Sequence, residues 1–377
     1  MKIYRSIIII TILLIQFGCS STKKNILTES LASDNPKIKN VMSNPDTFEL
    51  QIIYTQILRD KNNAVSFKDF TYRVNATTYF YPASTVKFPF ALMALEKLNS
   101  MPGTSMYNSF TIDGNPETYK FSDEMTKVFA VSDNDSSNHL FEIIGFDYLN
   151  QGMYDKGLTP FRISHRLQIP DSGNPLVRKV TITKEDGTQE STEEKMNAVS
   201  KPLKINALKK GKGHYTNNVL VNEPFDFAQK NYYPLETLHN TLKRLVFPEA
   251  FKESERFNLT NEQSDFVLFS MSNLPKNAGY DPKEYYDGYC KFFMFGDTKE
   301  NIPANIKIYN KVGHAYGTLI DCAYIVDTLN KVEFMVSATL LVNKDGIFND
   351  DTYDYDAIGF PFLAELGRQL YAKNLKK

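Results

Sequence analysis

The chain has 377 residues, of which 42% are hydrophobic and 23% are charged, and its formal net charge is −1. That length and composition are enough to bury a large core and to form one composite domain or two. The near-neutral charge argues against nucleic-acid binding, and the five histidines lack the spacing of a metal site. We therefore expect a globular monomer that uses no metal or other cofactor.

The N-terminus has the pattern of an export signal. Two cations precede an apolar run over residues 7–17, which is too short to cross a membrane but suits a signal peptide. The run ends at a glycine followed by Cys19, as at a lipoprotein processing site. We expect residues 1–18 to be removed, Cys19 to carry a lipid, and residues 19–35 to form a membrane tether.

Two interpretations of this N-terminus stay open. The plainer one is an ordinary export signal with an incidental cysteine, and both interpretations place the protein outside the cytoplasm, in the cell envelope. Ser20 after the cysteine favours the outer membrane, by analogy with bacterial lipoproteins, with the domain facing the periplasm. Such a compartment permits a disulfide between Cys290 and Cys322, and the sequence leaves open whether they pair.

The next segment predicts the beginning of a sheet. A short helix is expected over 36–43, followed by strands over 48–58 and 67–74 around a polar turn. Residues 82–168 are predicted to be mainly helical.

The segment Ser84-Thr85-Val86-Lys87 places a hydroxyl and an amine three residues apart. On a helix such residues share a face, and Lys87 is the one charged residue between Arg73 and Glu96 in an otherwise apolar run. Burial disfavours the ammonium form, so Lys87 can serve as the base that a serine nucleophile needs. The alternative is a helix cap with a solvated lysine, which the apolar surroundings disfavour.

Ser132-Asp133-Asn134 falls at a break between two helical patterns, over 121–131 and 139–144. Taken alone, the segment is most simply a helix cap, because Ser, Asp and Asn favour caps and turns. A calcium loop does not fit, since the glycine and the terminal acidic ligand are missing at the expected offsets.

Residues 177–220 combine a strand, a turn and a long polar stretch. We interpret them as a surface insertion, with a possible hairpin beside the mouth of the site.

Lys311-Val312-Gly313 begins the second half of a strand that continues through His314. A strand at a sheet edge often carries a protective lysine, which is the plainer interpretation. The functional one gives Lys311 the task of attracting a carboxylate, while Gly313 lets a substrate lie flat against the strand.

Together the three segments match S-x-x-K, S-D-N and K-T-G in order. The chain therefore resembles the penicillin-recognising serine enzymes, and within them the class A β-lactamases. The resemblance covers residues 36–377. It implies an α+β fold in which an antiparallel sheet flanked by helices is joined to an all-helical lobe. The helical lobe is expected over about 82–255, and the sheet lobe over 36–81 and 256–377.

The resemblance also implies roles for individual residues. Ser84, Lys87 and Ser132 become the catalytic residues, with Ser132 passing a proton to the leaving nitrogen. The substrate-binding residues become Asn134, Lys311, Gly313 and His314, with Asn134 orienting Lys87 and the acylamide of the substrate. The backbone N–H groups of Ser84 and His314 would form the oxyanion hole.

Two positions depart from the family pattern. Val312 stands where a threonine or serine hydroxyl helps to hold the substrate carboxylate. The loop glutamate that activates the deacylating water in class A enzymes has no counterpart, because no glutamate occurs between Glu142 and Glu185. Asp171 is the candidate substitute, and a structural turn residue is its alternative role.

The sequence therefore predicts a serine β-lactamase-type hydrolase that opens the β-lactam amide through an acyl-enzyme. The alternatives are a peptidoglycan D,D-peptidase or esterase, or a penicillin-binding and sensing lipoprotein that deacylates slowly. The expected substrate is a small β-lactam or a peptidoglycan peptide.

Overall fold

The computed structural model describes residues 25–376. The predicted signal peptide and Cys19 lie outside these residues. Within 25–376, the helices are too short or too polar to cross a membrane.

Nine helical segments follow one another along the described chain. They are α1 Ile26–Leu31, α2 Pro36–Met42, α3 Lys87–Asn99, α4 Phe121–Ala130, α5 Asn134–Asp155, α6 Leu235–Val246, α7 Asn261–Ser272, α8 Phe292–Phe295 and α9 Phe360–Asn374. The backbone of α5 leaves the helical conformation at Gly145, whose φ is 65°. A Cβ there would lie 3.0 Å from Val177 and Asn197, so a glycine is needed at this kink.

The described strands form several sheets of different sizes. They are β1 Gln51–Arg59, β2 Val65–Tyr72, β3 Ser109–Ile112, β4 Asn115–Lys120, β5 Leu176–Val177, β6 Val180–Thr183, β7 Gln189–Ser191, β8 Lys195–Met196, β9 Lys209–Lys210, β10 Gly213–Thr216, β11 Val219–Val221, β12 Phe225–Asp226, β13 Ile306–Ala315, β14 Thr318–Asp327, β15 Val332–Leu341 and β16 Ile347–Phe348.

The largest sheet is antiparallel, with the strand order β13-β14-β15-β1-β2. Successive residues of each strand point to opposite faces of the sheet, so they pack into different hydrophobic cores. Ile52 and Tyr54 pack with α1, α2 and α9 on one face, whereas Ile53 packs with the helical lobe on the other. The expected α+β class is confirmed, and β13 forms an edge of the sheet facing the lobe.

The prediction that residues 19–35 form a tether is wrong for the second half of that segment. Ile26, Leu27 and Leu31 are buried together with residues of α9, and Asn25 caps α1 through a reciprocal pair of hydrogen bonds with Thr28. An apolar helix face that finds a partner folds, so the domain begins about ten residues earlier than expected.

The segment between α3 and α4 contains a hairpin, β3–β4, where the sequence predicts mainly helix. Phe110 and Ile112 alternate with threonine and polar residues, and Gly114 adopts a left-handed φ of 78° at the turn. The predicted insertion completes this sheet, because β6 pairs with β3 and β7 pairs with β6.

Cys290 and Cys322 are both buried and both free, so the disulfide that the sequence left open does not form.

Candidate active site

The candidate nucleophile lies in a tight turn before a fully buried helix. Ser84 belongs to a 3₁₀ turn, Ala83–Val86, which leads directly into α3. Ala83 has a φ of 46°, a left-handed conformation that costs free energy for a residue with a Cβ. The Thr85 hydroxyl donates to the Pro82 carbonyl at 2.6 Å and holds the turn. The predicted helix start is confirmed, and its strained turn presents Ser84 to a cleft.

Lys87 is buried beneath this turn, with 0% of its surface exposed. Its ammonium donates to the carbonyl oxygen of Ser132 and, at 3.4 Å, to the Ser132 hydroxyl. Burial holds the pKa of Lys87 well below its usual value, and the nearby charge of Lys311 lowers it further. The neutral amine that a general base requires is therefore accessible at this position.

Ser132 joins the two lysines. It lies between α4 and α5 with a left-handed φ of 61°, and its hydroxyl oxygen accepts from Lys311 Nζ at 2.8 Å. Lys311 also donates to the carbonyl of Val312 at 3.0 Å, and burial lowers its pKa to about 8. The hydroxyl thus accepts from both lysines, which leaves its own proton free for donation into the cleft.

A buried polar network fixes the strand that carries Lys311. Lys291 Nζ donates to the Asn310 side-chain oxygen at 2.7 Å, and Asn310 Nδ2 donates to Asp321 at 2.8 Å. The other carboxylate oxygen of Asp321 accepts from the Phe293 N–H at 3.1 Å. Burial raises the pKa of Asp321 to about 7 and lowers the pKa of Lys291 to about 8. Strands β13 and β14 are thereby tied to the turn at α8.

Gly313 brings β13 against the nucleophile turn. A Cβ at this position would lie 3.0 Å from the Ser84 nitrogen and 3.0 Å from the Pro82 carbonyl oxygen. Only glycine allows the strand to approach the turn so closely. The backbones of Ser84 and of the β13 segment that includes His314 are therefore neighbours, which is the arrangement that an oxyanion hole requires.

The His314 ring lies among aromatic side chains, with ring centroids 5.3 Å from Tyr355 and 6.1 Å from Phe292. Part of its surface faces the cleft. The crowded protein around the ring lowers the pKa of His314, and the charges of Lys311 and Lys87 lower it further.

Asn134 takes a different partner from the one predicted. It is the first residue of α5, and its Nδ2 donates to the side-chain oxygen of Gln168, not to Lys87. Asp133 caps the same helix by accepting from the Ser136 N–H at 2.7 Å. The capping interpretation of this segment therefore holds for Asp133, while Asn134 faces the loop on the opposite side of the cleft.

That loop places Gln168, and not Asp171, at the cleft. Leu167 is fixed by two hydrogen bonds with the Asn138 side chain, at 2.8 and 3.0 Å, and Gln168 follows with a left-handed φ of 50°. Asp171 is exposed in a turn where its carbonyl accepts from the Asn174 N–H, and it does not line the cleft. Sequence reasoning missed Gln168, although it is the first polar residue after Leu167 in the loop expected to carry the deacylating group.

The cleft has a volume of about 770 Å3 and takes its walls from both lobes. Ser84, Ser132, Asn134, Gln168 and His314 all line it. The remaining wall includes six tyrosines, namely Tyr81, Tyr285, Tyr289, Tyr316, Tyr353 and Tyr355. The three sequence segments therefore meet at one site. Such a site can activate a serine, supply a proton to a leaving group and hold an acyl intermediate.

A family model and several solved structures are similar to this chain. The model of the β-lactamase enzyme family matches residues 35–234, which include Ser84, Lys87, Ser132 and Asn134. A comparison with curated protein sequences gives no match.

Several solved structures share the fold. A class A β-lactamase from Bacteroides cellulosilyticus DSM 14838 is 12% identical, with a TM-score of 0.53, and the alignment covers 94% of this chain and 100% of that one. A class A β-lactamase from Mycobacterium abscessus is 14% identical, with a TM-score of 0.52 and coverages of 92% and 98%. The structure of PBP-A is 15% identical, with a TM-score of 0.50 and coverages of 94% and 97%.

At these identities the structural likeness shows the fold alone. The family model is independent of it and matches more than half of the chain. The chain belongs to the β-lactamase enzyme family.

Proposed function

We propose that this protein is a serine hydrolase that opens β-lactam rings through an acyl-enzyme on Ser84. The observation that carries the proposal is the convergence of Lys87 Nζ and Lys311 Nζ on the hydroxyl of Ser132, at 3.4 and 2.8 Å, beside the Ser84 turn. This arrangement links a neutral amine, a hydroxyl and a cation in one proton path.

In the proposed first step, Lys87 takes the Ser84 proton as the serine oxygen attacks the lactam carbonyl carbon. The carbonyl electrons move to oxygen, and the backbone N–H groups of Ser84 and His314 stabilise the oxyanion. As the carbon–nitrogen bond breaks, the nitrogen takes a proton from Ser132. Ser132 then regains a proton from the lysine pair, so the protons balance over the whole step.

The carboxylate of the substrate is proposed to lie near Lys311. Val312 offers no hydroxyl there, and the Lys311 ammonium already donates to Ser132 and to the Val312 carbonyl. One donor of the ammonium is therefore left for a carboxylate, which supports a weaker hold on this group than a lysine–threonine pair would give.

A second candidate is a penicillin-binding protein or peptidase that releases its acyl group slowly. The contact between Asn134 and Gln168 favours it, because a neutral amide at this place cannot take a proton from water. Among the residues that line the cleft, only Asp133 and Asp351 are acidic. Asp133 is engaged as a helix cap, and Asp351 lies in an exposed segment at the rim.

Two probes separate the candidates. The mature domain would be incubated with a fluorescent penicillin, to detect a stable acyl-enzyme, and with a chromogenic cephalosporin, to detect turnover. Turnover that exceeds one equivalent within minutes supports the hydrolase. Stoichiometric labelling without turnover supports the slow-release protein instead.

Ser84→Ala is the control for both probes. It should abolish covalent labelling while far-UV circular dichroism and the melting temperature remain those of the wild type. Labelling that persists in Ser84→Ala would place the nucleophile elsewhere. Absence of both signals in the wild type would contradict the proposed function altogether.

Attachment to the outer membrane through Cys19 is part of the same proposal. Cys19→Ala should move the protein from the membrane fraction to the soluble periplasmic fraction. Unchanged membrane fractionation of this variant would contradict lipidation at Cys19.

A further inference from the structure

The cleft is lined by a lysine that the proposed chemistry does not use. Lys230 follows β12 and lines the cleft together with His165 and Ser172. The same three residues line an adjoining cavity of about 250 Å3 behind the 164–173 loop. Lys230 therefore lies where the two spaces join.

The ammonium of Lys230 lies near two aromatic rings. Its Nζ lies 5.8 Å from the ring centroid of Phe225 and 5.7 Å from that of Tyr316. Both contacts are cation–π in character, so the protein positions the charge without neutralising it.

Within residues 25–376, no carboxylate forms an ion pair with Lys230, and no hydrogen-bond acceptor contacts its ammonium. The side chain is half-buried, and burial lowers the pKa of Lys230. A desolvated cation without a counter-charge is costly, and an anionic ligand would offset that cost.

His165 supplies a second unused polar group in the same wall. Its Nδ1 lies 2.6 Å from the Arg166 carbonyl oxygen, which can only accept, so Nδ1 carries the proton. Burial lowers the pKa of His165 to about 4, which keeps the ring neutral and makes Nε2 an acceptor. Nε2 is buried and has no donor among the described residues. A donor N–H of a ligand at this wall would complete it after a small side-chain adjustment.

The two lysines of the cleft have different surroundings, since Lys311 Nζ contacts Ser132 and the Val312 carbonyl whereas Lys230 Nζ lies near Phe225 and Tyr316. Tyr316 follows Lys311 by five residues and lies in the turn after β13. Gly313, between them, contacts the Ser84 turn. Because the two ammonium groups share none of these contacts, we expect each lysine to bind an anionic group of its own.

We propose that Lys230 is the centre of an anion subsite that binds a carboxylate on the acyl side of the substrate. The preferred substrate is accordingly a dianion, with one carboxylate at Lys311 and a second at Lys230 beside an N–H that faces His165. This inference rests on the proposed function and specifies its substrate class.

Two penicillins that differ by one carboxylate test the inference. Benzylpenicillin carries only the ring carboxylate, and carbenicillin has the same skeleton with an added carboxylate on the side chain. Lys230→Gln should lower the second-order acylation constant for carbenicillin about tenfold, since a charge-assisted hydrogen bond is lost, and change that for benzylpenicillin less than about twofold. Lys230→Arg should keep the carbenicillin value near that of the wild type.

Lys212→Gln is the matched control, because Lys212 is an exposed lysine that does not line the cleft. It should leave both acylation constants unchanged. Equal losses for the two penicillins in Lys230→Gln, or no loss for either, would overturn the inference while leaving the proposed function intact.

A binding measurement keeps the two proposals separable. In Ser84→Ala, titration calorimetry should give a dissociation constant for carbenicillin that rises about tenfold on adding Lys230→Gln, with little change for benzylpenicillin. This readout needs no acylation. If the wild type is not acylated but the selective binding is seen, the proposed function alone is contradicted. If Ser84→Ala and the double variant with Lys230→Gln bind carbenicillin equally, the subsite is overturned.

Discussion

The inner and outer sides of the cleft hold their functional groups in different ways. On the inner side, Lys87 and Lys311 are fully buried, and both donate to Ser132. On the outer side, Gln168 is exposed on a loop, and the ammonium of Lys230 lies near the rings of Phe225 and Tyr316. In the proposed mechanism, attack on a carbonyl would use preorganised groups, whereas release and side-chain recognition would depend on parts of the chain that can change independently.

The largest effect is expected from a substitution of the buried lysine on the inner side of the cleft. Lys87→Met should slow acylation by fluorescent penicillin by about 10²–10⁴-fold, because the general base is lost. Its melting temperature should not fall, since a thioether is buried there at lower cost than an amine. Stopped-flow labelling and calorimetry measure the two quantities.

Lys97→Met, at the far end of α3, is the matched control and should acylate at the wild-type rate. Rapid acylation of Lys87→Met would show that another group takes the serine proton.

The next largest effect is expected from a substitution that introduces a base on the outer side of the cleft. Gln168→Glu places a carboxylate beside Asn134 and should accelerate hydrolysis of the acyl-enzyme by about 10²-fold, because water then has a base. Acylation should change little. The decay of the labelled protein after a penicillin chase measures the rate.

Gln168→Met has a similar size and no base, so it should not accelerate release. Equal deacylation rates in Gln168→Glu and the wild type would contradict the assignment of the release side to this loop.

The pH dependence sharpens the description of the inner side. Acylation should rise with pH as Lys87 loses its proton at its lowered pKa, and should fall again above about pH 8 as Lys311 loses the charge that holds the carboxylate. In Lys311→Arg the falling limb should disappear, because arginine stays protonated. A limb near pH 8 that persists in this variant would belong to another group.

The smallest expected effect concerns Asp171. Its side chain is exposed and does not line the cleft, so Asp171→Asn should change deacylation less than about twofold. A larger loss of deacylation rate, measured in the same chase experiment, would indicate that Asp171 takes part in the release of the acyl group.

The sequence predicts the inner side well for a physical reason. A lysine in an apolar helix has few roles, and a spacing of three residues on a helix fixes which side chains meet. The segments around Ser84 and Ser132 and the strand with Lys311 are therefore found where expected.

The outer side could not be predicted in the same way. Gln168 and Lys230 acquire their surroundings from chain segments far apart in sequence, and neither residue type is unusual in a loop. The hairpin β3–β4 was missed for a related reason, since its short alternating pattern gains stability only by pairing with β6. Helix α1 likewise depends on α9, more than 300 residues away.

Helix α1 also limits how far the domain can stand from a bilayer. With Asn25 already capping a folded helix, only residues 20–24 separate the described domain from Cys19. Five extended residues reach at most about 18 Å, compared with about 55 Å for a linker that continued to residue 35. With a lipid on Cys19, as we propose, the N-terminal end of α1 would lie within about 18 Å of the headgroups, so the domain would stand close to the membrane surface.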